Sequence, residues 1–385
     1  MRIGILTQPL RTNYGGLLQN YALQQVLIRA GHTPITIDQG DKCFPKWYVL
    51  LSRIKWEVLH LLFPTKYAKP VYQYIPSDKE LEYISQNCTY FVDKYILHTS
   101  KCMKPEDFSI CAEKNNINAF VVGSDQCWRP SYNSFLPEMF LDFVVDNHIK
   151  RIAYAASFGT DKWEFTPKEN IICSVLARKF NLVTVREDSG VSLCKNYLGV
   201  EATQVLDPTM LLTKEDYVHL VEIENEPKVD GALLCYILNP DDKKTKFINE
   251  VADKMHLKPY ITLQKYQKET RTKNDVKLHI DDCVYPKVTT WLRAFMDAEM
   301  TIVDSFHGVV FSILFNKPFW AIGNEKRGMS RFTSLLKLFG LEDRLLDVTK
   351  LDNIDCTRPI EWNRINIIIE RERIKSRDLL VNSLN

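Results

Sequence analysis

Residues 3 to 7, IGILT, form a short apolar run; a polar turn, RTNYGG, follows, and LLQNYALQQVLIRAGH then carries apolar residues at helical spacing. Gly31 ends that helix and PITID, at 34 to 38, supplies a second strand. Strand, glycine turn, helix and strand make the βαβ unit that opens a parallel doubly wound sheet, whose ligands sit at the C-terminal edges of the strands. Apolar runs ending in polar or glycine residues return at AFVVGSD (119 to 125), RIAYAASFG (151 to 159) and LVTVRED (182 to 188). The Asp-Pro step of QVLDPTMLL, at 204 to 212, breaks any continuing helix and carries the chain out of this sheet.

A second series then repeats the logic. It comprises ALLCYIL (232 to 238), a helix over 241 to 256, KPYITLQ (258 to 264), a helix over 288 to 298 and EMTIVDSFHG (299 to 308). The helix VVFSILFN, the strand PFWAIG (318 to 323) and the helix SRFTSLLKLFG complete it, and a charged tail at 359 to 380 reads as a closing helix. The pattern therefore predicts an α/β chain with two doubly wound domains, 1–205 and 206–358, and a closing segment, 359–385.

Between these elements, residues 41 to about 115 are rich in Trp, Tyr, Lys and Pro and read as a helical insertion, with helix-like pieces near 47 to 62 and 78 to 94. The longest apolar region, Trp47 to Phe63, is broken by Ser52, Arg53, Lys55, Glu57 and His60, so it does not make a span of about 20 lipid-facing residues. With Lys46, Arg53, Lys55 and Lys66 near its apolar face, it reads either as a surface resting on a membrane or as a helix packed on its own sheet.

The length of 385 residues agrees with two cores rather than one. Fifty Lys plus Arg against 48 Asp plus Glu leave a formal charge of +2, which supplies no field for gripping a polyanion. Nucleic acid is not an expected partner, and an anionic ligand must be held by a few placed cations and helix N-termini. The ten Cys include no CxxC pair and no Cys/His spacing of the zinc type, so no metal site is expected. Reduced, buried thiols and an N-terminus too short in apolar residues for a secretory signal fit a cytoplasmic protein.

Candidate chemistry sits at the strand-to-helix turns. In TIVDSFHG, Ser305, Phe306, His307 and Gly308 occupy a turn whose free amides and helix dipole favour a phosphate, or else Ser305 is a cap and His307 structural. The glycine-bracketed loop 323–331 holds Lys326, Arg327 and Arg331, cations suited to carboxylate and phosphate oxygens, or a solvated loop. In the first half, Asn13, Tyr14, Gly15 and Gly16 form one turn and Gly123, Ser124 and Asp125 another. They suit sugar hydroxyls better than a dinucleotide, since the spacing is not GxGxxG, although an Asx-capped turn gives the same pattern. Arg186, at the end of LVTV, is expected either to face the cleft or to pair with Glu187.

In order and register, NYGG with LQNYALQ, VVGSDQCW, TVREDSG, VLDPTMLL, VDSFHGVVFSILFNKPFWAIG and RGMSRFTSLLKLFGL resemble the polysaccharide pyruvyl transferase family. The resemblance implies two Rossmann-like domains facing a cleft as in the GT-B architecture, phosphoenolpyruvate as donor, no metal or other cofactor, and a pyruvate ketal as product. It places Arg186 and His307 around the donor. Many members carry an arginine two residues before the histidine; this chain has Ser305, leaving Lys326, Arg327 or Arg331 to supply that charge. Under this reading His307 is the acid or phosphate ligand, Arg186 and Arg327 the clamp and Asp125 the base toward a sugar or lipid-linked oligosaccharide. Two alternatives stay open: a nucleotide-sugar glycosyltransferase using Glu299 or Asp304 near the ribose, and a non-catalytic sugar-binding relative.

Overall fold

The computed structural model describes residues 1–40, 46–62, 76–133, 135–267, 271–323, 328–347, 349, 351 and 354–385. Its first sheet contains β1 (Arg2–Leu6), β2 (Thr33–Thr36), β3 (Ala119–Val122), β4 (Lys150–Ala156), β5 (Leu182–Val185) and β6 (Thr203–Gln204). The strands are all parallel, in the order β2-β1-β3-β4-β5-β6. A second parallel sheet contains β7 (Leu233–Tyr236), β8 (Pro259–Tyr260), β9 (Met300–Val303), β10 (Phe319–Ile322) and β11 (Leu345–Leu346), in the order β11-β10-β9-β7-β8. Each sheet starts in its interior, adds its second strand on one side and the rest on the other. The strand order therefore reverses beside β1 in one and beside β7 in the other, which is where such sheets bind ligands. The strand expected over 258–264 ends at Tyr260: β8 is an edge that pairs only with β7, and Ile261 beyond it is exposed.

The central strands are buried on both faces, as in Ala119–Val122 and Met300–Val303, which is why they read as continuous apolar runs rather than alternating ones. An aromatic seam joins the lobes. Tyr14, on the helix Tyr14–Arg29, stacks on Trp291 of the helix Val288–Asp297 with ring centroids 5.7 Å apart, and its hydroxyl donates to Pro286 O at 2.9 Å. Trp291 in turn meets Tyr236, Phe295 and Phe311.

The insertion is helical as expected, with helices Lys46–Leu62, Asp78–Tyr95 and Pro105–Lys114. Ser77 starts the second of these through a capping box with Glu80. That helix straps the two lobes together: Tyr83 donates to Asp281 at 2.6 Å, Asn87 to Tyr285 O at 2.8 Å, and Lys94 and Tyr95 both reach Glu224.

The closing helix runs Trp362–Leu384 and returns to the first lobe. There Ser376 Oγ accepts from Leu206 N at 3.0 Å, Lys150 donates to Leu384 O at 2.8 Å and Arg373 to Met210 O at 2.8 Å. Nine cysteines among the described residues are free and buried. Burial pushes the thiols of Cys88, Cys127, Cys173, Cys194 and Cys235 up to about 12, so they act as small apolar side chains rather than nucleophiles.

Candidate active site

A cavity of about 310 Å³ opens where the two strand-order reversals face each other. The first lobe supplies Gln8, Asn13, Gly15, Asp125, Gln126 and Tyr132, and the second Tyr236, Leu238, Ser305, Phe306, His307 and Arg331. A larger hollow of about 410 Å³, with Arg178, Asn181, Gly199 and Glu201 on its wall, lies at the opposite end of β5 and β6, away from these turns.

Two turns build the first-lobe wall. Asp125 follows β3 in a left-handed conformation (φ 66), which a short acidic residue tolerates, and its backbone bridges Ala156 at the end of β4. Its carboxylate accepts from its neighbour Gln126 N at 2.9 Å and from Asn13 Nδ2 at 3.4 Å. In the second lobe Ser305 caps the helix Phe306–Leu314, its Oγ accepting from Gly308 N at 3.0 Å. The cap fixes the first turn, which presents Phe306 and His307 to the cavity.

His307 is held from the other side of the cleft. A Cβ added to Gly15 would fall on Nδ1 and Cγ of the imidazole, so the glycine is what lets the ring lie against the first helix. His307 Nε2 lies 3.6 Å from Asp207 Oδ2. Asp207 is completely buried; it also accepts from Ser124 Oγ at 3.0 Å, from Thr209 N and Oγ at 3.0 and 2.7 Å, and from Arg186 at 2.9 Å. Burial alone would raise its pKa, but His307, Arg186 and Thr209 outweigh it and hold the carboxyl far below the ordinary carboxylate value.

Arg186 sits behind this wall. Its guanidinium is buried among Asp207, Glu187 at 3.1 Å and Asp125 at 3.4 Å, with the Phe306 ring over it at 4.1 Å. Burial works against its charge, yet the three carboxylates raise its pKa above the ordinary value. Among the described residues Arg331, on the helix Ser330–Phe339, is the cation that lines the cavity; burial and then the Arg186 charge push it down to about 10.

The structure thus brings together Asn13, Gly15, Asp125, Ser305, Phe306, His307 and Arg331. It corrects several expectations. Arg186 does not face the cleft but ties three acids together behind Phe306. Tyr14 belongs to the aromatic seam and Ser124 to the Asp207 network, so neither is a surface for sugar. The Gly16 and Gly308 backbones lie in the first turns of their helices, and neither residue is on the wall. Lys326 and Arg327 lie outside the described residues, although Gly328 next to them packs on Gly159 O of the first lobe. Asp304, offered for a ribose, is completely buried and accepts from Leu238 N, Asn239 N and Lys244 Nζ at 2.7, 3.1 and 2.9 Å; Glu299 precedes β9, at its far end. Asp207 and Glu187 carried no signal of a site, because an Asp-Pro step and a residue beside an arginine look the same in any turn.

Among the described residues no three His, Cys, Asp or Glu side chains are grouped to hold a metal ion. A family model described as polysaccharide pyruvyl transferase matches residues 13–326. No curated protein matches the chain. Of the solved structures, Arabidopsis thaliana UGT89C1 complexed with UDP-L-rhamnose shares 11% identity over 98% of each chain, with a TM-score of 0.50. Methanocaldococcus jannaschii UDP-GlcNAc 2-epimerase in complex with UDP-GlcNAc and UDP shares 11% over 98% of this chain and 94% of that one, with a TM-score of 0.44. S. aureus MnaA with UDP shares 10% over 100% of this chain and 91% of that one, with a TM-score of 0.45. At such identities the likeness is one of fold, the two-lobed GT-B architecture.

Proposed function

Because the chain belongs to the polysaccharide pyruvyl transferase family and is a transferase, we propose that it moves the pyruvyl unit of phosphoenolpyruvate onto two hydroxyls of a sugar, in a polysaccharide or its lipid-linked precursor. The observation that supports this most is the cavity between the lobes, which sets a histidine and a buried arginine from one lobe against a carboxylate from the other. A small, strongly anionic donor offsets the buried charge of Arg331, whose depressed pKa it would raise again. Arg331 also supplies the cation that Ser305 lacks.

Asp207 faces the imidazole at Nε2 while the Gly15 backbone packs on its Nδ1 edge, so the ring is held between the two lobes at the cavity wall. The histidine then delivers a proton to the methylene carbon of the donor, making it a methyl group and leaving positive charge at C2. A sugar hydroxyl forms a bond to C2 as Asp125 takes its proton, the C2–O bond to phosphorus breaks, and phosphate departs. The departing phosphate carries that proton away from Asp125 as hydrogen phosphate, and a second hydroxyl of the same sugar then bonds to C2 and closes the ketal as the freed carboxylate takes its proton. The chemistry is acid and base catalysis with an anion clamp, and it asks for no resident cofactor.

A nucleotide-sugar donor is supported less well, because neither Asp304 nor Glu299 stands at the cavity. Calorimetric titration with phosphoenolpyruvate should give saturable heat while a uridine diphosphate sugar gives none; the reverse result would overturn the assignment. Replacing Gly15 tests the site's geometry separately. Gly15→Ala pushes a methyl into the imidazole, and a displacement of about 1 Å is expected to lower turnover roughly 10²-fold and, as overpacking, the stability by about 1 to 3 kcal/mol. Steady-state phosphate release checks this, and wild-type rates would refute the packing argument.

A further inference from the structure

Arg331 enters the cavity from the second lobe, yet the helix that carries it rests on the first. Ser334 lies three residues beyond Arg331 on the helix Ser330–Phe339, and so on the same side of it. Its buried hydroxyl accepts from Asp188 N at 3.0 Å and donates to the Asp188 carboxylate. Lys337, a further turn along, donates to the other carboxylate oxygen at 3.2 Å. Asp188 opens the short first-lobe helix Asp188–Leu193. Burial raises its pKa, but the Ser334 and Lys337 bonds outweigh it and hold the carboxyl below the ordinary value.

The chain just before Arg331 is braced on the same lobe. Gly328, at φ 92, packs so closely on Gly159 O that there is no room for a side chain. Gly159 N donates to Ser157 Oγ at 3.0 Å, and Ser157 Oγ donates to Glu187 at 2.7 Å. Arg186, Glu187 and Asp188 are consecutive. One turn of the first lobe thus gathers the buried acids and grips the second lobe on both sides of Arg331.

The grip opposes a definite tendency. Burial and then the Arg186 charge disfavour the Arg331 guanidinium where it stands, so a helix start released from the first lobe would let that side chain turn toward water. The aromatic seam and the strapping helix join the lobes through Trp291, Tyr285 and Glu224, none of them on this helix. Loss of Asp188 therefore frees the helix start without parting the lobes.

We propose that Asp188 is a positioning residue: through Ser334 and Lys337 it holds the start of the helix Ser330–Phe339 so that Arg331 meets an anionic donor in the cavity. What Arg331 does there rests on the pyruvyl transfer reading, whereas the hold on the helix does not.

Two measurements on the full chain test this. Calorimetric titration with phosphoenolpyruvate should show affinity about tenfold weaker for Asp188→Ala, and within about threefold of wild type for Asp188→Asn, whose carboxamide oxygen still accepts from Ser334. In an Arg331→Ala background Asp188→Ala should weaken binding no further, because its effect passes through the arginine. In the unliganded protein, hydrogen exchange at the amides of 330–337 should be about tenfold faster for Asp188→Ala, with the helix Val288–Asp297 unchanged and Asp188→Asn restoring the protection. The proposal is overturned if exchange in 330–337 matches the wild type, if Asp188→Asn falls as far as Asp188→Ala, or if Asp188→Ala weakens binding equally with and without Arg331. A wild type that gives no heat with phosphoenolpyruvate overturns the transfer reading instead, and the exchange measurement then decides alone whether Asp188 holds the helix.

Discussion

His307→Ala should lower turnover of phosphoenolpyruvate by about 10² to 10⁴, the usual effect of removing a positioned acid. The prediction rests on a ring that two lobes hold at once: Gly15 against Nδ1, Asp207 opposite Nε2 and the Ser305-capped turn beneath. Losing a buried ring that faces Asp207 should also lower the unfolding midpoint, so turnover is compared at a temperature well below both midpoints. Phosphate release together with thermal melts separates the two effects. Turnover within a fewfold of wild type would remove His307 from the chemistry and leave it a filler between lobes.

Asp207→Ala should be the most destabilising single change at this site, by about 3 to 5 kcal/mol, because it strips a buried charge network of one member and leaves the others buried. Arg186 would keep Glu187 and Asp125, but Ser124, Thr209 and His307 would lose their shared acceptor. The sign of the pH dependence follows from the depressed carboxyl. Its contribution is present above the unfolded carboxylate value of about 3.9 and is lost as pH falls toward the much lower folded value. Urea midpoints from pH 7 to pH 3 should therefore fall less steeply for Asp207→Asn than for the wild type, from a lower starting point. Parallel curves would mean that Asp207 carries no linked proton.

Much of the architecture was legible because parallel strands buried on both faces leave unbroken apolar runs, and because glycine and Asx turns mark where each run ends. The same turns marked Asn13, Gly15, Asp125, Ser305 and His307, which do converge. Arg186 takes the Glu187 pairing that the sequence left open beside the cleft, and its other two partners are ones local patterns do not reveal. A strand-end arginine goes where the carboxylates are, and here they come from positions 125, 187 and 207. Asp207 was legible only as a helix breaker, since its partners at 124, 186 and 307 meet it through the tertiary fold. Tyr14 looked like part of a binding turn because its neighbours are, yet helical geometry points it the other way, into Trp291.

The return of the closing helix to the first lobe has a mechanical meaning. A chain that passes between two bodies once lets them swivel about the covalent link in any direction. This one passes twice, at residues 205 to 213 and again before Trp362, and Leu206 N with Ser376 Oγ joins the two passages at 3.0 Å. Two crossings, one braced on the other, resist that swivelling. With the aromatic seam and the strapping helix beside them, these crossings keep Gly15 and His307 in register across the cleft.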